Sequence, residues 1–175
     1  MVMTLLTRPK KTVGTVVIAT DGSGDYNCNG TDDDITINAA LNSLPVTGGC
    51  MYLKEGTYII TSTILFPTDN ITIFGCGAST RIVTNDNITM ISGDGLEHIG
   101  IHDIYVYGAG AGANNHGIVW DKILESTITK IWVENCGGDG IQFLGDIDGI
   151  FSSKCSIINN VIKGNGGNGI KISIT

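Results

Sequence analysis

An internal repeat in the second half of the chain limits its fold more than any other feature. Residues 128–141 (ITKIWVENCGGDGI) align without a gap with residues 157–170 (IINNVIKGNGGNGI), matching apolar and glycine residues over fourteen positions. Residues 101–118 fit the same frame with four extra residues in the turn. Three copies of one unit predict a solenoid, in which each copy packs only on its neighbours and all share one core.

Each copy consists of short alternating strands separated by Gly and Asn turns, without the helix that a leucine-rich repeat would carry. The chain has 25 glycines and few helix-forming stretches, which is typical of β structure with many turns. We therefore predict an all-β fold, a right-handed single-stranded parallel β-helix with coils about 4.8 Å apart. Ile, Val and Phe would form its internal columns.

The first third of the chain is organised differently. Residues 1–12 are predicted to be a flexible basic tail, residues 13–66 a head with the first coil, and residues 67–175 the remaining coils. In the head, ITINAALNSLP (35–45) has helical spacing of apolar residues and ends at a proline. This amphipathic helix would cap the open first coil, whose sheet edges would otherwise be exposed. We interpret Thr31 to Asp34 before it as N-caps and as acids that favour the helix dipole, and not as a calcium loop.

Charge and composition exclude several classes of partner. The net charge of -7 and the scattered ten basic residues argue against nucleic acid, and an acidic polysaccharide would be repelled unless a cation bridged it. No apolar run is long enough for a membrane helix, and the N-terminus lacks a recognisable signal peptide. The five cysteines contain no C-x-x-C pair, so we predict free thiols with no metal site and no cofactor.

Residues 16 to about 83 resemble the N-terminal part of the pectate-lyase-like superfamily of right-handed parallel β-helix proteins, which includes polygalacturonase-like hydrolases, polysaccharide lyases and phage tailspikes. A Gly/Asp-rich loop leads into an Asp-Asp helix start, a strand with Gly-Thr-Tyr follows, and a Gly-x-Gly turn begins the coils. The matching stretches are DGSGDYNCNGTDDDITINAALNSL (21–44), GGCMYLKEGTYII (48–60) and NITIFGCGASTRI (70–82). The resemblance implies the fold and a polysaccharide partner, whereas one fold hosts many activities.

Within that superfamily, calcium-dependent lyases use a basic arginine, and hydrolases use two carboxyl groups. The two arginines, Arg8 and Arg81, are both outside the repeats, so a hydrolase is favoured over a lyase. Asn115-His116-Gly117 and Gly138-Asp139-Gly140 partly match hydrolase motifs, although the second Asp and the Arg-x-Lys are absent. Asp139 is therefore the candidate acid, with Glu134 or Asp121 as the second carboxyl group.

The repeat frame places His116, Asp139 and Asn168 at one position of three successive coils. One interpretation is a catalytic acid with a modulating imidazole. The other is a structural column in a tight turn, where Asp, Asn and His tolerate unusual backbone angles. Because Asn168 occupies the position equally well, the structural interpretation is favoured, and strand parity does not fix the direction of Asp139 between its glycines.

Strand alternation predicts that four side chains face outward together: Tyr105, Tyr107, Trp132 and Glu134. Tyr105 would stack on Trp132 one coil along. Such a face is typical either of a sugar-binding surface or of a subunit interface, and both remain open. Glu134 would lie opposite Lys163, and Asp103 opposite Lys130, as cross-strand ion pairs.

Two functional hypotheses follow. The first is a carbohydrate-directed domain of a cell-surface or virion-associated protein, which binds and hydrolyses a polysaccharide. The second is a structural or adhesive module of a tailspike or fibre, assembled as a homo-oligomer with a trimer favoured. Both place the protein outside the cell or on a virion, and neither involves a membrane. Because GIKISIT ends within a strand, we expect the last coil to be covered by another domain, another subunit or more chain.

Overall fold

The computed structural model describes residues 14–110, 112–145 and 152–174. The predicted tail, residues 1–12, lies outside the described residues. The helical elements are Asp33–Leu41 (α1) and the 3-10 helix Gly77–Ser79. The strands are Thr15–Ala19 (β1), Tyr26–Asn27 (β2), Gly49–Leu53 (β3), Gly56–Ile59 (β4), Ile64–Leu65 (β5), Ile71–Phe74 (β6), Thr80–Thr84 (β7), Ile91–Asp94 (β8), Gly100–His102 (β9), Tyr105–Gly108 (β10), Ile118–Asp121 (β11), Thr127–Thr129 (β12), Trp132–Glu134 (β13), Ile141–Gly145 (β14), Ser156–Ile158 (β15), Val161–Lys163 (β16) and Ile170–Ile174 (β17).

The strands form three parallel sheets that run the length of the described molecule. Sheet A has the order β15-β12-β9-β6-β3-β1-β2, sheet B has the order β16-β13-β10-β7-β4, and sheet C has the order β17-β14-β11-β8-β5. Every coil therefore contributes one strand to each sheet, from β3, β4 and β5 onward. The chain is a parallel β-helix, as the repeat predicted and the resemblance implied.

Each sheet contributes a column of inward-facing aliphatic side chains to the core. In sheet A the register aligns Ile73, Ile101, Ile128 and Ile157. The equivalent column of sheet B is Ile82, Val106, Val133 and Ile162, and that of sheet C is Ile91, Ile118, Ile141 and Ile170. These pairings confirm the repeat alignment drawn from the sequence, including the longer turn in the 101–118 copy.

The corner between sheets A and B is a tight bend, with a left-handed residue in three successive coils: Asp103, Lys130 and Asn159 (φ 54°, 52° and 57°). The predicted ion pair between Asp103 and Lys130 is wrong, since within the described residues the Asp103 carboxylate instead contacts His102 Nδ1 at 2.7 Å. Cross-strand pairing requires extended backbone on both strands, whereas these two residues lie in the bend.

Helix α1 is shorter than predicted and is held by a different set of interactions. It ends at Leu41, and Leu44 is buried just beyond it. Its N-cap residue, Asp32, has a φ of 49° and makes no side-chain capping bond, so the predicted N-capping role is wrong. Asp33 and Asp34 do lie in the first turn, where acidic side chains favour the helix dipole as predicted. The following two carboxylates are buried and turn toward backbone N–H groups outside the helix instead.

Asp33 and Asp34 join the helix to the first coil. Asp33 Oδ1 accepts hydrogen bonds from the N–H groups of Asn29 and Gly30, both at 3.0 Å, and Oδ2 accepts one from Ile59 at 2.8 Å. Asp34 Oδ1 accepts from the N–H of Thr61 at 2.8 Å. The acidic run thus fastens the capping helix across the end of the solenoid.

The opposite end of the described solenoid exposes apolar side chains of the last coil. Ile172 is 81% exposed and Ile174 60% exposed, whereas the equivalent Phe143 one coil earlier is 5% exposed. Stacking of one coil on the next is therefore what buries these positions. The expectation that another body covers this coil stays a prediction.

We predict that Asp33→Asn lowers the free energy of unfolding by about 2 kcal/mol, because an amide group leaves at least one of three partly buried N–H donors without an acceptor. Denaturant unfolding followed by circular dichroism measures the change. Asp32→Asn is the matched control, since Asp32 is exposed and asparagine tolerates its positive φ. Equal loss of stability in both variants would contradict the assigned role of Asp33.

Candidate functional site

The outer face of sheet B carries the predicted aromatic residues in two parallel rows. The first row runs across the coils as Arg81, Tyr105, Trp132 and Val161. The second row, two residues along each strand, is Val83, Tyr107, Glu134 and Lys163. The intervening side chains point into the core, so the predicted alternation is confirmed. We call these two rows the sheet B face.

Arg81 belongs to this face, although it lies outside the repeats that were recognised in the sequence. It is in β7 of the second coil, directly beside Tyr105. Its guanidinium lies 4.8 Å from the centroid of the Tyr105 ring and 5.5 Å from that of Tyr107. The two rings, 6.0 Å apart, meet edge to face. A cation over two tyrosine rings stabilises their orientation, so the platform is held in place before a ligand arrives.

Glu134 is tied into the same network. The Tyr105 hydroxyl donates to Glu134 Oε2 at 2.5 Å, and Lys163 Nζ lies 3.4 Å from Oε1, which confirms the predicted Glu134–Lys163 pair. The Tyr105 hydrogen bond, with help from Lys163 and Arg81, lowers the pKa of Glu134. Desolvation and the Glu134 carboxylate raise the pKa of Tyr105 to about 12. At neutral pH, the Glu134 carboxylate is ionised, and the Tyr105 hydroxyl keeps its proton and donates a hydrogen bond to it.

A groove of about 380 Å³ lies beside Trp132, at the bend between sheets A and B. It is lined by Gly77, Ala78, Asp103, Lys130, Ile131, Trp132, Asn159 and Val161. The groove therefore combines one broad aromatic side chain with a carboxylate, an ammonium and an amide. An aromatic wall with a few polar groups is typical of a small-molecule or sugar site.

The predicted column of His116, Asp139 and Asn168 exists, at the turn between sheets B and C. The backbone N–H of Asp139 donates to His116 Nδ1 at 2.9 Å, and that nitrogen lies 3.7 Å from Asp139 Oδ2. Asp139 Oδ1 accepts from the backbone N–H of Asn168 at 2.7 Å and from its side-chain amide at 2.9 Å. Gln142 Nε2 donates to Oδ2 at 2.7 Å, and Lys171 Nζ is 3.8 Å away.

These contacts explain the Gly-Gly pairs that recur in residues 128–141 and 157–170. A Cβ at Gly138 would lie 2.7 Å from the His116 ring, and a Cβ at Gly167 would lie 2.5 Å from Asp139 Oδ1. His116 and Asp139 thus each rest on a glycine of the next coil. The Gly-Gly pairs are needed because only a residue without a side chain leaves this space.

Asp139 is 5% exposed and accepts hydrogen bonds on both oxygens. Burial alone would raise its pKa, but the two Asn168 hydrogen bonds, Lys171 and His116 outweigh burial and hold the pKa below the ordinary value. Asp139 is therefore an ionised carboxylate that joins three coils. The same geometry gives it no proton to donate to a leaving group at neutral pH.

The candidate carboxylates are located in different places. Glu134 is on the sheet B face, Asp139 is in the following turn, and Asp121 is on sheet C beside Asp94 and Leu144. Lys122 Nζ is 3.8 Å from Asp121 Oδ2. Within the described residues, the structure records no contact between any two of these three carboxylates.

Glycoside hydrolysis needs one protonated and one ionised carboxyl group facing each other, and the lowered pKa values of Glu134 and Asp139 favour only the ionised role. Their catalytic roles stay predictions.

Sequence reasoning missed four contributors to these two clusters. Arg81 and Asn159 belong to the face and its groove, and Gln142 and Lys171 belong to the column. Gln142 and Lys171 are paired one coil apart, so extending the repeat alignment past Ile141 would have identified them. Arg81 precedes the recognised repeats, which is why the alignment did not reach it.

No group of three or more His, Cys, Asp or Glu side chains in the described parts of the chain could hold a metal ion. The cysteines are free thiols, of which Cys28 and Cys136 are buried and Cys76 is exposed. Within the same residues, no helix has the length and apolar character needed to cross a membrane.

Comparison with known proteins gives similarity in fold. No protein-family model matches the chain, and no curated protein sequence matches it. Among solved structures, the ORF18 protein of Geobacillus virus E2 superposes with a TM-score of 0.64 at 20% identity, over 89% of this chain and 40% of the viral one. The A-module of Azotobacter vinelandii mannuronan C-5 epimerase AlgE4 gives 0.64 at 17% identity, over 89% of this chain and 53% of the module.

The catalytic domain of Agl-KA superposes with a TM-score of 0.58 at 20% identity, over 99% of this chain and 36% of that domain. The present chain thus spans between about a third and about half of the length of each structure that it matches. At these identities the similarity concerns the parallel β-helix itself.

We predict that Asp139→Asn destabilises the protein at pH 7 and does so less at pH 3. The folded-state pKa of Asp139 is below its ordinary value of 3.8, so its stabilising contribution is complete above that value and is lost as the pH falls through the folded pKa. Unfolding free energies of the wild type and variant at both pH values measure this. Asp94→Asn is the control, because Asp94 is an exposed partner of Lys122. A difference between wild type and Asp139→Asn that is unchanged at pH 3 would disprove the assignment.

Proposed function

We propose that this domain binds a polysaccharide across the sheet B face, with Tyr105, Tyr107 and Trp132 as its contact residues. The observation that carries the proposal is the row of aromatic side chains on adjacent coils, in which Arg81 holds Tyr105 and Tyr107 and a groove lies beside Trp132. The flat face of an aromatic ring packs against the apolar face of a sugar, and neighbouring polar groups bond its hydroxyls. Arg81, Tyr105 and Trp132 occupy one position of successive coils, so a polymer can contact several of them at once.

The similar solved structures support this class of ligand without determining it. One of them is, by its name, an epimerase of mannuronan, which is a polysaccharide, and another comes from a virus. The expected location on a cell surface or virion is part of the proposal, as is the role of a carbohydrate-directed module. Because the lowered pKa values of Glu134 and Asp139 favour ionised carboxylates, binding is better supported than hydrolysis.

The subunit-interface alternative makes a different use of the same residues. If the sheet B face packs against another copy, Trp132 and Tyr105 would be covered by protein and unavailable to a glycan. A homo-oligomer, with a trimer favoured, stays the alternative prediction. Both hypotheses predict an effect of Trp132→Ala, so the measurement has to separate glycan affinity from assembly.

We predict that Trp132→Ala weakens glycan binding at least tenfold, because one aromatic ring at a buried contact contributes about 1.4 kcal/mol or more. A panel of soluble polysaccharides screened by calorimetry identifies the ligand, and the variant is then titrated with it. Phe74→Ala is the matched control, since Phe74 is a half-buried outward aromatic of sheet A, stacked between Tyr52 and His102. Its glycan affinity should equal that of the wild type.

Sedimentation of the same three proteins completes the test. A wild type that binds no glycan in the panel, and that dissociates when Trp132 is replaced, would overturn the proposal in favour of the assembly role. Equal loss of affinity in Trp132→Ala and Phe74→Ala would also contradict a site on sheet B.

A further inference from the structure

We infer that the glycan bound on the sheet B face is an extended linear polymer that lies along the direction in which the coils stack, with about one sugar unit per coil. This inference rests on the proposed function and specifies the shape class of its ligand. The outline of the groove beside Trp132, the repeat distance of the coils and the narrow width of the face support it.

The groove beside Trp132 is elongated along the stacking direction. Its lining residues come from the bend between sheets A and B in four successive coils, and they include Gly77, Asp103, Lys130 and Asn159. The Gly77 N–H donates to the Asp103 carbonyl at 2.7 Å, so these two levels are adjacent. Neighbouring coils are about 4.8 Å apart, and the groove therefore runs for about 14 Å. A groove of this outline takes a rod-shaped ligand.

The row of side chains next to the groove has the same repeat. Arg81, Tyr105, Trp132 and Val161 are paired one coil apart. A sugar unit of a fully extended glycan advances its chain by about the same distance as one coil, which is about 4.8 Å. Successive sugars can therefore meet equivalent positions of successive coils while the polymer stays straight. A glycan that winds into a helix turns away from this line after its first contacts.

The face is narrow in the other direction, across the strands. Strand β10 has the outward side chains Tyr105 and Tyr107, and β13 has Trp132 and Glu134. The Tyr105 hydroxyl donates to Glu134, and the Asn135 side-chain amide donates to the Tyr107 hydroxyl at 3.2 Å. Each of these fully described strands thus offers two contact positions, whereas the row along the coils offers four. A polymer gains more contacts along the coils than across the strands.

The length of the ligand provides one test. Once the polysaccharide panel has identified a ligand, its disaccharide, tetrasaccharide and hexasaccharide are titrated into the wild-type protein by calorimetry. We expect the affinity to rise at least about tenfold from the disaccharide to the tetrasaccharide, because the longer ligand reaches two further coils. The hexasaccharide should add only the statistical gain of more binding registers. Equal affinity for the disaccharide and the tetrasaccharide would overturn the inference and leave the proposed function intact.

The shape of the ligand provides another test. The panel contains extended chains, represented by soluble fragments of cellulose, mannan and xylan, and wound chains, represented by amylose and β-1,3-glucan. We expect the ligand to belong to the extended class. Binding confined to the wound polymers would refute the inference, although the face would still be a glycan site. If no glycan of either shape binds, the proposed function fails, and the inference fails with it.

Two variants of the groove test the direction of the ligand. Asp103 and Asn159 are at equivalent bends two coils apart, so a tetrasaccharide along the coils contacts both, whereas one across the strands reaches one of them at most. Asp103→Gly and Asn159→Gly should each weaken tetrasaccharide binding about fivefold. Glycine accepts the positive φ at both positions, so the fold should be kept.

Lys154→Gly is the matched control for these two variants. Lys154 is in the same coil as Asn159 and has a φ of 55°, but it precedes sheet A and lies at a different bend. Its replacement should leave the affinity equal to that of the wild type. Weakened binding in only one of the two groove variants would contradict a ligand that runs along the coils.

Discussion

Stacking of equivalent residues between successive coils is the interaction on which the rest of this structure depends. Parallel strands pair in register in all three sheets, so each side chain lies against the side chain at the same position of the next coil. For inward positions this produces the aliphatic columns of the core. For outward positions it produces rows of like or complementary groups, because each residue is within reach of the one above it and the one below.

The two polar clusters use that constraint in opposite ways. In the Asp139 column, residues of the adjacent coils form hydrogen bonds with Asp139. The buried carboxylate therefore holds the coils together. On the sheet B face, aromatic and charged side chains contact one another within the plane of the face, through a cation–π contact and an ion pair, and they remain partly exposed to solvent. The sheet B face is therefore a prearranged platform, whereas Asp139, whose residue type first suggested catalysis, is held in structural contacts.

Much of the fold could be predicted because the repeat is close to exact in its apolar and glycine positions. Ile128, Val133 and Ile141 were aligned with their partners one coil along, and the structure pairs them in that way. The outward rows could be predicted from strand parity. The sequence was less informative at the bends, where backbone angles leave the β region, and the predicted Asp103–Lys130 pair was wrong for that reason. The acidic run at 32–34 was assigned to the helix it precedes, because the strand it bonds is distant in sequence.

The longer turn of the 101–118 copy shows where such a protein can change. Its four extra residues lie between β10 and β11, yet both strands remain paired with their neighbours above and below. His116 also keeps its place over Gly138 despite the added length. Evolution can therefore lengthen this loop without re-registering the solenoid, and new surface can be built beside the sheet B face while the scaffold is inherited unchanged.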